Sequence, residues 1–182
     1  YNGSTWSEVG DLITVSCLPG STGTQNAAVQ AGGYNGSSPY IGKSHVQTWN
    51  GSAWSSAEAM PLGGAYPPLV GTQNAALALA RSTGAHAGNY NHGCTEEYDG
   101  TNWSQKAQTV NIATWGGSTG TVNAALGMGG YAGLAPSRLC TEEYDGSAWS
   151  EGPAKGIVVG RSLAGAGTQN AALAFGGASG GV

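Results

Sequence analysis

Charge is scarce in this chain: six Lys and Arg and ten Asp and Glu make up 9% of its 182 residues. The six cations are scattered, so the basic footprint that nucleic acid demands is missing. Long hydrophobic runs are missing too. None approaches the ~18 apolar residues that a bilayer span needs, and no membrane span is expected. Cysteine is limited to Cys17, Cys94 and Cys140. Three cannot pair completely within one chain, and there is no Cys-x-x-Cys, which argues against a zinc or redox motif. They read as small hydrophobes on strands. His-Glu-x-x-His, P-loop and nucleophile-elbow motifs are absent as well. No signal peptide is visible, yet the chain starts at Tyr1 rather than Met. The expectation is that a preceding part was removed or that the chain is a piece of a longer product.

Glycine, by contrast, is abundant, with 33 residues, and it falls in a repeat rather than in a Gly-X-Y period. Gly23-Thr-Gln-Asn-Ala-Ala returns at Gly71, as Gly-Thr-Val-Asn-Ala-Ala at Gly120, and again at Gly167. The spacings are 48, 49 and 47 residues, which marks a repeat architecture. A second element alternates with the first. Tyr1-Asn-Gly-Ser-Thr-Trp6 returns as Trp49 to Trp54, Tyr98 to Trp103 and Tyr144 to Trp149, each with Asn-Gly or Asp-Gly after the first aromatic. Asn-Gly and Asp-Gly are strong hairpin signals because glycine supplies positive φ.

The Gly-Thr-Gln-Asn copies read as a second hairpin. Its first strands are expected near Ile13 to Ser16, Pro67 to Val70, Ile112 to Trp115 and Ser162 to Ala166, and its second on the Ala-Ala-Leu segments. Four short antiparallel strands in about 48 residues are the signature of a propeller blade. The fold expected is all-β, a β-propeller of four-stranded antiparallel blades in one domain over residues 1–182. Repeat junctions lie near 23, 71, 120 and 167. The chain starts in the second half of one repeat and ends in the first half of another. Four blades closed by sharing strands between the termini are expected; an excerpt of a longer array is the alternative.

The order of double Gly, variable loop, Glu-x-Tyr-Asp and Trp resembles the kelch repeat. It is most similar to the short Gly- and Ala-rich kelch-like repeats seen in phage and marine-microbial proteins, over essentially the whole chain. The resemblance implies a β-propeller. Kelch propellers mostly act as binding scaffolds, so it does not imply one function. Ala80-Arg81 replaces the double Gly, and Trp49 takes the Tyr position.

Aromatics present in every repeat read as packing between blades. Trp115 and Tyr66, both five residues before the Gly of Gly-Thr, are expected near one mouth of the channel. Tyr34 and Tyr131 follow double glycines, Tyr90 lies in a long variable loop, and Arg161 completes the candidate ligand-binding set. His86, His92 and Cys94 lie close in sequence but match no metal-site spacing, so no metal is expected. Glu96-Glu97 and Glu142-Glu143 are expected on a solvated outer strand, where adjacent carboxylates point apart and cannot converge on one substrate atom. No catalytic set or cofactor site is expected. The expected function is a non-enzymatic binding or structural module, displayed on a virion or secreted, that contacts protein neighbours in a larger assembly, with homo-oligomers open. A carbohydrate-binding propeller that takes surface glycans is the alternative.

Overall fold

The computed structural model of the chain describes residues 1–34, 42–82, 91–111, 114, 116–130, 140–154 and 161–178, apart from the side chains of Asn91 and Arg161. The described residues contain strands and no helix, and so no helix long and apolar enough to cross a membrane. The first sheet holds β1 (Gly20–Thr24), β2 (Ala27–Ala31), β3 (Val46–Trp49) and β4 (Trp54–Ala57) in that order. The second holds β5 (Leu69–Thr72), β6 (Ala75–Ala78), β9 (Thr95–Tyr98) and β10 (Trp103–Lys106), with β7 (Arg81–Ser82) and β8 (Asn91–His92) paired beside it. The third holds β11 (Gly117–Thr121), β12 (Ala124–Met128), β13 (Thr141–Tyr144) and β14 (Trp149–Gly152). Last, β15 (Arg161–Thr168) and β16 (Ala171–Ala178) pair with each other alone. All pairings are antiparallel.

Each inner hairpin turns on two residues, Gln25 and Asn26 in the first sheet, between the paired Thr24 and Ala27. Glycine before the Thr is obligatory. Gly71, Gly120 and Gly167 have φ of 99, 105 and 114°, and a Cβ there would sit 2.1 Å from a carbonyl oxygen of the partner strand. The outer turns differ from the two-residue form that Asn-Gly implies. Tyr98 pairs with Trp103, which leaves four residues between. Positive φ falls on the glycine alone. The Asp99 carboxylate instead accepts from the N–H of Thr101 at 2.8 Å and of Asn102 at 2.7 Å. Those bonds hold Asp99, and likewise Asp145, below the usual carboxylate range. Asn50 makes the same turn with its amide oxygen. The flanking rings pack together, with centroids 5.0 Å apart for both Tyr98–Trp103 and Tyr144–Trp149.

Three expectations change. The first inner strand starts later than Ile13, on the Gly-Ser-Thr-Gly-Thr stretch at Gly20; the same stretch at Gly117 is a strand, while Ile112, Ala113 and Trp115 lie outside the described residues. The weak intrinsic preference of both stretches is overridden by pairing with Ala-Ala-Leu or Ala-Ala-Val neighbours. Glu96 and Glu142 are not solvated, because β9 and β13 are interior strands and β10 and β14 are the edges. Finally, Tyr1 to Pro19 form no strand, and the outer edge of β16 has no partner among the described residues. The N-terminal segment is tied to the first sheet instead. The Trp54 indole N–H donates to Gly10 O at 3.1 Å, and Gln47 exchanges two 2.9 Å bonds with the backbone of Thr14.

The sheets stack face to face in chain order. Val29, Ala31 and Val46 of the first pack on Leu69, Ala76, Ala78 and Tyr98 of the second. Val70, Leu77 and Leu79 of the second pack on Ala125, Tyr144 and Trp149 of the third. Amides bind sheet to sheet as well. Gln73 donates to Ala28 O and Trp49 O at 3.2 and 2.7 Å, and Gln169 donates to Ala125 O and Tyr144 O at 3.0 and 2.8 Å.

Candidate functional site

One cavity of about 430 Å³ collects the starts of all four inner strands. Its lining comes from Leu18 to Ser21, Tyr66 to Leu69, Gly116 to Ser118 and Ser162 to Gly165, four stretches at the same repeat position. That position imposes an unusual backbone. Leu18, Tyr66 and Ser162 each lie five residues before the Gly of Gly-Thr, and their φ angles are 53, 59 and 58°. A left-handed residue other than Gly costs on the order of 1 kcal/mol and persists only where its surroundings over-determine it. The Tyr66 N–H donates to Leu18 O at 3.0 Å and joins two of these corners.

The lining is uncharged among the described residues. Its polar side chains are the Tyr66 phenol and the hydroxyls of Ser21, Ser118 and Ser162, set among Pro, Leu and Gly. Burial pushes the Tyr66 hydroxyl up, and the Tyr34 phenol pushes it further, so Tyr66 is a neutral donor and acceptor at pH 7. Such a surface can stack on an apolar or sugar face and hydrogen-bond to neutral groups.

The sequence candidates separate accordingly. Tyr66 lines the cavity. Tyr34 is held by backbone bonds of 2.9 Å in both directions with Cys17, acts on Tyr66 through its phenol and does not itself line the cavity. Trp115, Tyr131, Tyr90 and the side chain of Arg161 lie outside the described residues, as does His86. Leu18, Ser21, Ser118 and Ser162 were not singled out from sequence. The signal was available for Leu18 and Ser162, which share the repeat offset of Tyr66 and Trp115. No group of three or more His, Cys, Asp or Glu that could hold a metal occurs among the described residues.

A second set of polar groups is buried between strand and connector. In the first sheet Gln47 accepts from Thr14 N and donates to Thr14 O, and it donates to Gln30 at 2.9 Å. At the equivalent place in the third sheet, buried Glu142 accepts from Asn111 N at 2.5 Å. Burial pushes the Glu142 carboxyl up, and the bond from Asn111, with lesser help from Val110, pulls it partly back. In the second sheet the equivalent Glu96 meets Arg81, with Nη2 2.8 Å from Oε1 and both side chains buried. Arg81 occupies the position of the missing double Gly, and Gly64 leaves room for it: a Cβ on Gly64 would lie 2.4 Å from Arg81 Cδ. Burial raises the Glu96 pKa, and the charge of Arg81 opposes it. These groups hold connectors and do not face the cavity.

No protein-family model matches the chain, and no curated protein matches it. Among solved structures, that of YjhT is similar with a TM-score of 0.73 at 13% identity, over 93% of this chain. The chain spans 65% of the length of YjhT. Likeness at that identity is likeness of fold. The protein is therefore an all-β chain of repeated four-stranded antiparallel sheets, an architecture it shares with YjhT.

Proposed function

We propose that the chain is a β-propeller or an arc of one, and that it works as a non-enzymatic binding module through the cavity at the starts of its inner strands. The observation that carries the reading is a cavity lined from all four repeats, uncharged among the described residues, around three left-handed corners. Backbone strain held at a cleft is a mark of a binding site, and about 430 Å³ suits a small ligand or one protruding side chain of a partner. The kelch-like resemblance supports a scaffold that contacts protein neighbours, displayed on a virion or secreted.

A second reading, carbohydrate binding, is favoured by one feature: Tyr66 stands with Ser21, Ser118 and Ser162 in a lining without charge among the described residues, which suits a neutral sugar ring. A glycan array together with partner capture separates the two. Tyr66→Gly is the control variant. Glycine adopts positive φ without strain, so the fold should keep its melting temperature while ligand or partner affinity falls about tenfold or more. Undiminished affinity in Tyr66→Gly would move the binding site away from the cavity.

A further inference from the structure

We infer that a monovalent cation of about the size of water, potassium or ammonium, binds between the second and third sheets on the Glu142 carboxylate. The inference is independent of what the larger cavity holds. A second cavity, of about 30 Å³, lies at this interface, with Leu79 and Ala80 on one side and Gly127, Met128 and Glu142 on the other. A water-sized occupant needs roughly 10–15 Å³ of such space, so one or two fit.

The space exists because two fillers are missing from this interface. Between the first and second sheets, a Cβ on Gly32 would come within 3.0 Å of Met60 Cε and 3.2 Å of Pro67 Cγ, so those side chains fill the corresponding place. Their counterparts, counted from the Gly of Gly-Thr, are Thr109 and Gly116, and both line the cavity.

The polarity of the lining selects a cation. Glu142 is only 6% exposed, and Glu151 stands directly opposite it on β14, where its charge opposes ionisation of Glu142. The equivalent Glu96 is answered by Arg81, but Gly130 holds that position in the third repeat. Arg81 and Lys106 are themselves paired, with Glu96 and Glu97. Side-chain donors of the lining are committed elsewhere. The Trp149 indole N–H goes to Thr95 Oγ1 at 3.1 Å, the Thr109 hydroxyl to Gly93 O at 3.3 Å and the Asn111 amide to Glu151 at 3.1 Å. Acceptors are left. Gly116 puts no side chain over the Met128 and Gly129 carbonyl oxygens, which lie 2.8 and 3.0 Å from where its Cβ would be. Water alone would leave the Glu142 charge unanswered in a buried place. A guanidinium exceeds the space, and a divalent ion draws several carboxylates. No group of three or more His, Cys, Asp or Glu that could hold such a metal occurs among the described residues.

Thermal melts at pH 7 in about 100 mM potassium, ammonium or choline chloride test this, choline being too large for the cavity. Wild type should melt about 2–4 °C higher in potassium or ammonium than in choline, and the gain should saturate with concentration. Glu142→Gln should lose the gain and stay folded, since Gln47 serves the same position in the first sheet. Thr109→Met, which restores the filler of the first interface, should lose it with Glu142 intact; if that variant does not fold, Glu142→Gln decides. Crystals soaked in rubidium should show an anomalous peak beside Glu142. Equal midpoints in the three salts, a gain retained by either folded variant, or no peak beside Glu142 would overturn the inference.

Discussion

The same substitution, Glu→Gln, should act in opposite directions at two equivalent positions of this chain. Glu142 and Glu96 occupy the same place on β13 and β9, and both are buried. The first sheet carries the amide there already, and Gln47 uses it to accept from and donate to the same backbone residue at 2.9 Å each way. Glu142 has no cation against it among the described residues; it accepts from Asn111 N. In Glu142→Gln the acceptor is kept, a donor for the Asn111 carbonyl is gained, and a desolvated charge is removed. One net hydrogen bond is worth about 1 kcal/mol, or roughly 2–4 °C in a chain of this size. Glu96→Gln does the reverse. It leaves the Arg81 guanidinium buried without its anion, which costs about 3–5 kcal/mol and roughly 10 °C or more.

The pH dependence has a definite sign. Burial raises the folded-state pKa of Glu142 above its unfolded value. The stability this lends is complete below the ordinary carboxyl range and is lost as pH rises through the raised value. Glu142→Gln should therefore exceed wild type by more at pH 7 than at pH 5. Thermal melts of wild type and both variants at the two pH values provide the measurement. A lower midpoint for Glu142→Gln at pH 7, or a difference that does not shrink on acidification, would refute the reasoning.

Gln73→Leu should remove two bonds between the first and second sheets, at 3.2 and 2.7 Å, and lower stability in urea by about 1–3 kcal/mol. Val122 holds the same position in the third sheet without an amide, so an apolar side chain is expected to be accommodated sterically. Gly64→Ala should push Arg81 off Glu96 and cost about 1–3 kcal/mol. Combined with Glu96→Gln, its cost should be clearly less than additive in a double-mutant cycle, because both changes break one pair.

Much of the fold was legible because the repeat is written twice in each period, once in Gly-Thr-Gln-Asn and once in the aromatic pair around the turn. Hairpins depend on local chemistry, and glycine with its forced φ marks them directly. The first inner strand was misplaced for a physical reason. Ile13 to Ser16 is apolar and β-branched, whereas Gly20-Ser-Thr-Gly-Thr24 is neither, and strand formation was decided by the neighbour it pairs with. Glu96 was misread for a related reason. A pair of adjacent glutamates looks solvated until the partner is known, and Arg81 appeared only as a departure from the double Gly. Of the site, the offset of Tyr66 was informative, but the hydroxyls of Ser21 and Ser118 were hidden inside a motif that reads as scaffold.

A repeat protein carries its own controls, and that changes how its irregularities are read. One position holds Gln47, Glu96 and Glu142 in three sheets; Gln47 and Glu142 each accept from a connector N–H, and Glu96 pairs with Arg81. Where the acid is used, it either brings its own cation, as in Glu96 with Arg81, or accepts a raised pKa, as in Glu142. Such variation follows the connectors that these side chains hold. The cavity position behaves differently. Leu18, Tyr66 and Ser162 share one strained backbone and one location while their side chains have no chemistry in common. Packing that required a given side chain would have kept a similar one at each copy, as it does for Tyr98 and Tyr144. A fixed conformation with free side-chain choice is what the proposed binding role expects of the corners of the inner strands, more than of the repeated aromatics.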